Sequence, residues 1–155
     1  KAIGLFEKFH VFTKAELESR AEIQYETYAK AINIEAKAMI DIASKQIIPA
    51  VIKYTKSLAD TVNSVTAAGA EASVQSELLA ETSGLLSDTK VALQKLIDLD
   101  KKSEEVPEGT ELAHYFHEEI VPAMAELRAP VDALEMIVDK EMWPMPSYGD
   151  LMFEV

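Results

Sequence analysis

The residues with the most chemical potential are three histidines set among many carboxylates. Glu111-Leu112-Ala113-His114 and His114-Tyr115-Phe116-His117 put possible ligands one helical turn apart, a spacing at which one helix face offers two donors to an ion. A carboxylate-bridged metal pair in a helical bundle needs two Glu-x-x-His motifs and two further inward glutamates. The second Glu-x-x-His is absent and His10 lies far off in sequence. His114 and His117 are therefore weak metal candidates, and solvated or interface histidines are the simpler reading.

Other chemistries have less support. There is no cysteine, no Gly-x-Ser-x-Gly and no glycine-rich loop ahead of a helix, so nucleophilic and phosphate-cradling sites lack their parts. Neighbouring acids such as Glu104-Glu105 and Glu118-Glu119 diverge on a helix and read as surface charge. Tyr25, Tyr28, Tyr54 and Tyr115 could line a pocket, but aromatics at helical spacing more simply build a core. The sequence thus offers no catalytic and no cofactor-binding residue.

The elements that would position these groups are all helical. Thr13-Lys14-Ala15-Glu16 is a capping box. From Leu17 to Val65 apolar residues recur at 4-4-3 spacing, close to an eleven-residue repeat and a nearly straight helix. One helix over about 13–68 would be roughly 80 Å long. Pro49 inside it predicts a kink without a break, because the stripe keeps its phase. A second helix is expected over about 71–101. A third covers about 110–141, capped by Thr110 and bent at Pro122 and Pro130. An extended tail follows over 142–155, where Trp143, Met145, Tyr148 and Phe153 crowd together. The expected fold is all-α, a single domain over 1–155. It is an antiparallel three-helix up-down bundle with a very long kinked first helix (four-helix if that helix breaks at Pro49).

Short connections make consecutive helices antiparallel neighbours. Counting back from Gly69, the second helix reaches about Met39, and the third runs parallel to the first from that level. Pro122 then lies beside Pro49, within matching Ile47-Ile48-Pro49-Ala50-Val51 and Ile120-Val121-Pro122-Ala123-Met124 segments, so the two kinks should be in register. The same count leaves about Thr13–Lys37 unpartnered. Leu17, Tyr25, Tyr28 and Ile32 become interface candidates, and Trp143, Tyr148 and Phe153 join them from the tail.

Composition narrows the partners. The 155 residues carry 15 basic and 27 acidic side chains, a net charge of −12, which disfavours nucleic acid and anionic membrane surfaces. No apolar run approaches the ~18 residues of a membrane span. Glu7, Lys8 and His10 interrupt the first apolar stretch, which therefore lacks a signal-peptide core. A chain opening on Lys1 reads as part of a longer polypeptide.

Four blocks carry a family resemblance. Phe9-His10-Val11-Phe12-Thr13-Lys14-Ala15-Glu16-Leu17-Glu18-Ser19-Arg20, Thr27–Ala36, Gln46–Tyr54 and Trp143–Phe153 resemble, in order, the C-terminal region of type III glutamine synthetases; residues 69–109 depart most. The resemblance implies a parent enzyme that ligates ammonia to glutamate with ATP and Mg (or Mn). It further implies a cytoplasmic homo-oligomer whose catalytic residues lie outside this segment. The segment itself would have a structural role, packing on the rest of the parent chain and on other subunits. The competing reading is an independent module docking a partner helix on the Leu17–Ala36 stripe.

Overall fold

The computed structural model describes residues 2–153, apart from the side chain of Tyr148. Among them every regular element is helical: α1 (Ala2–Lys8), α2 (Lys14–Ile42), α3 (Ile48–Ala67), α4 (Ser73–Ser103), α5 (Thr110–Tyr115), α6 (Val121–Glu135) and α7 (Tyr148–Phe153). A π-helical turn, Ala43–Ile47, joins α2 to α3, and a second, Phe116–Ile120, joins α5 to α6. The fold is all-α, and the first long helix runs unbroken from residue 14 to residue 67.

That helix starts where its capping box dictates. Glu16 N–H donates to Thr13 Oγ1 (3.3 Å) and Thr13 N–H donates to Glu16 Oε2 (2.8 Å), which satisfies two donors of the first turn reciprocally. It ends at Gly69, whose φ of 80° is left-handed. Ala70 N–H then reaches Val65 O and Gly69 N–H reaches Thr66 O, the paired bonds of a Schellman stop.

The π turns explain how the helices tolerate proline. Ile48 N–H bonds Ala43 O and Val121 N–H bonds Phe116 O, each five residues back. The next residue in each case is proline, which has no N–H and whose ring collides with the carbonyl four residues earlier in an ordinary helix. One inserted residue widens the coil just ahead of the ring. Both helices therefore continue.

Packing is organised around small residues. Ala29, Ala36, Ala43 and Ala50, seven residues apart, are all buried. The first three lie in one cluster with Leu93 and Leu96 of α4 and with Phe116, Ile120, Ala123 and Leu127 of the third column. A methyl group at each crossing lets neighbouring helices approach closely. A second cluster gathers Ile47 and Val51 with Leu134 and Val138. Thr82 and Thr89, fully buried, satisfy their hydroxyls by donating to Leu78 O and Leu85 O.

Two side-chain pairs fix the directions. Tyr115 Oη donates to Leu99 O and Lys95 pairs with Glu126, so α4 runs antiparallel to α5–α6. Tyr28 meets His117, and Ile47 and Val51 meet Leu134 and Val138, so α5–α6 runs parallel to α2–α3.

The expected register of the kinks is corrected by this pairing. With residue 28 level with residue 117, Pro122 falls beside residue 33, about 24 Å short of Pro49 at ~1.5 Å per residue. The cause is the connection 104–109. It carries the chain on along α2, so that Glu108 and Gly109 sit beside Glu26 and Lys30 before α5 begins. Most of α2 is consequently partnered within the chain.

Three smaller expectations change. Gly109 (φ 89°), with no side-chain cap, precedes α5, and Thr110 is its first helical residue. The third column leaves the helix at Glu135, where Met136 relaxes to ψ −18°. The tail is not wholly extended, because residues 148–153 form α7.

Ala36 has no accessible surface, so a larger side chain there must push two helices apart. Ala36→Leu should lower unfolding stability by about 1–3 kcal/mol, read as a shifted midpoint in denaturant with an unchanged slope. Ile34→Leu, at an exposed site on the same helix, should change it by less than about 0.5 kcal/mol.

Candidate interaction surfaces

His117 is engaged by the protein itself. Its Nδ1 lies 3.2 Å from Tyr28 Oη, with the rings tilted at a centroid distance of 6.4 Å. The hydrogen-bonded pair ties the second π turn to α2. His114 is exposed on α5. Among the described residues no three His, Asp or Glu side chains converge, and the metal candidates His114 and His117 are not joined by a third ligand.

The interface candidates on α2 divide. Tyr28 and Ile32 pack against the main core cluster, so they serve the bundle. This corrects the expectation of an unpartnered Thr13–Lys37, because α5 covers α2 from about Glu26 onward. Leu17 is half-buried and Tyr25 is exposed.

The unpartnered region lies further toward the N-terminus, in a hook that sequence patterning did not single out. None of α1 is buried. Its end is closed by His10 at φ 53°, with Val11 N–H bonding Phe6 O and His10 N–H bonding Glu7 O. This is the same Schellman stop as at Gly69, but built on a residue that pays for the left-handed region. Glu7 Oε1 accepts from Lys14 N–H (3.2 Å) and the Arg20 guanidinium sits 4.6 Å from the centre of the Phe12 ring. Ile3, Leu5, Phe9 and Val11 face solvent.

The tail splits in the same way. Asp139 O accepts from Met142 N–H and Trp143 N–H, folding Trp143 back onto the Ile47–Val51–Leu134–Val138 cluster. A groove of about 580 Å³ runs between Met39, Ile42 and Ala43 on one side and Leu127 and Val131 on the other, with Trp143 and Leu151 at its edge. Ser147 and Asp150 form a capping box for α7. Ser147 N–H donates to Asp150 Oδ2 (2.7 Å) and Asp150 N–H donates to Ser147 Oγ (3.3 Å). Ser147-x-x-Asp150 is legible in sequence and is the signal that finds α7. Beyond it Leu151, Met152 and Phe153 are exposed, Phe153 by 79%. The side chain of Tyr148 lies outside the described residues.

Comparison with known proteins points the same way as the sequence blocks. The glutamine synthetase C-terminal domain model matches residues 1–66, from α1 almost to the end of α3. The type-3 glutamine synthetase of Dictyostelium discoideum is 33% identical over 159 residues, covering 99% of this chain and 22% of that protein. Over its whole length the chain is similar to type-3 glutamine synthetase, and over residues 1–66 to the glutamine synthetase C-terminal domain.

The glutamine synthetase of Butyrivibrio fibrisolvens is 29% identical over 100% of this chain and 22% of its own length. That of Bacteroides fragilis (strain YCH46) is 28% identical over 92% and 20%. The chain thus spans about a fifth of the length of these glutamine synthetases, and a free-standing helix-docking module has no counterpart among them. Among the described residues no helix is long and apolar enough to cross a membrane.

The α7 cap carries a pH signature. The Ser147 hydroxyl and N–H, with Lys140 at 3.1 Å, lower the Asp150 carboxyl from 3.8 to about 2. A carboxylate lowered in the folded state stabilises above its unfolded value and loses that contribution as pH falls toward the folded one. α7 should therefore keep its helical carbon shifts at pH 5 and lose them between about pH 4 and pH 2. The Asp150 carboxyl resonance should titrate near 2, and Asp150→Asn should abolish the transition. A midpoint near 4 would show that the cap does not form.

Proposed function

We propose that this domain is the non-catalytic helical part of a type III glutamine synthetase, and that its role is to pack subunits or domains of the parent enzyme. The parent would ligate ammonia to glutamate with ATP in the cytoplasm, as a homo-oligomer. The observation that carries this reading is a bundle with a complete core whose two chain-terminal regions leave apolar side chains uncovered. Such surfaces are interaction sites by default in a stable protein. Leu17, Tyr25 and Phe153, with Tyr148, are the interface residues on this reading.

The residues of this domain do not suit a nucleotide or its metal. No phosphate-cradling loop precedes a helix, and the described carboxylates and histidines form no three-ligand set. ATP and Mg (or Mn) are assigned on this reading to the remainder of the parent chain, as is the active site.

The division of labour is directly measurable. Purified parent polypeptide should release phosphate from ATP only when both glutamate and ammonium are present, and residues 1–155 alone should release none. Turnover by the 155-residue chain, or a parent with no glutamate-dependent activity, would overturn the proposal.

A further inference from the structure

We infer that the α1 hook is a plug seated in an apolar socket on the preceding part of the same polypeptide, and not on a second copy of this domain. The inference deepens the packing role proposed above and rests on it. Four of the nine residues from Ile3 to Val11 are large apolar side chains open to solvent, at 36% (Ile3), 56% (Leu5), 65% (Phe9) and 54% (Val11). A seven-residue helix with no buried residue falls well below the ~12–15 residues that a lone helix needs to hold in water. Yet the hook is held in one shape. Arg20 lies over Phe12, Glu7 caps Lys14 N–H, and His10 accepts a left-handed backbone that glycine would adopt freely. Backbone strain of that kind persists where the surrounding structure requires the geometry.

Area and charge select the occupant. Together the four partly exposed side chains amount to no more than about a few hundred Å² of apolar surface. A stable free-standing dimer buries about 800 Å² per partner, so the hook alone is too small to hold two free molecules together. Two copies at −12 each also repel. A socket on the same chain needs much less, because tethering raises its effective concentration to roughly the millimolar range. The relatives are more than four times as long as this chain. In a C-terminal domain the preceding chain arrives at α1, next to the exposed face.

Hydrogen exchange on the full-length parent tests this. Amides of residues 5–12 should exchange at least ~30-fold more slowly than in an unstructured peptide. Leu5→Asp combined with Phe9→Asp should abolish that protection while amides of residues 90–100 stay protected, which shows that the domain is still folded. Ile34→Asp, exposed elsewhere on α2, should leave the hook protected. Unprotected hook amides in the wild-type parent would overturn the inference. So would protection that survives the double substitution, or protection that grows with protein concentration, the last pointing to a second copy. Glutamine formation assayed on the same samples separates the two proposals: an inactive parent with a protected hook refutes the synthetase reading and leaves the socket standing.

Discussion

The structure depends on how closely its helices can approach along one seam. Ala29, Ala36, Ala43 and Ala50 present only methyl groups at heptad intervals, and larger side chains at Phe116, Ile120 and Leu127 fill the space this leaves. Small against large is what gives native packing density without voids. The seam also limits the registers the helices can adopt, and the connection 104–109 selects among them. A one-residue slip would turn the alanines about 100° away from it. Directional polar contacts add little to this. The Lys14–Glu18, Lys30–Glu26, Lys45–Asp41 and Arg128–Asp132 pairs are exposed and local along a helix, a class that contributes only tenths of a kcal/mol each.

The stagger of the helices decides which surfaces remain free. Because α5 starts opposite Glu26–Asn33, the third column covers the middle of α2 and stops near Val51. The hook at one end and the tip of α7 beside the groove are left over. The π turns permit the arrangement, since each lets a helix pass a proline without losing the column it belongs to. Their matching sequences reflect that shared local problem, and the two turns sit at different levels of the bundle.

Much of the fold was legible from residue types. The capping box at Thr13, the stop at Gly69 and the apolar period named the long helix. Register was not legible, because it turned on whether residues 104–109 reverse tightly or run on along α2, and a polar turn sequence is compatible with both. The hook escaped notice for a related reason. Its helix ends on His10 in a left-handed conformation, and only glycine or asparagine advertises that in sequence. Tyr28 and Ile32 pack on the main core cluster because α5 covers this stretch of α2. α7 was readable from Ser147-x-x-Asp150, but the two prolines just ahead of it favoured an extended segment.

What emerges is a bundle with a continuous core and two uncovered ends, similar to glutamine synthetases that are several times longer. On the proposed reading its contribution is to hold other parts in place. The most direct measurement is native mass spectrometry, with thermal unfolding, of the parent enzyme from which residues 1–155 have been removed. A packing domain predicts a fall to smaller assemblies or a lowered unfolding midpoint in the remaining chain. An assembly unchanged in subunit number and stability, with only its catalytic rate altered, would contradict the account.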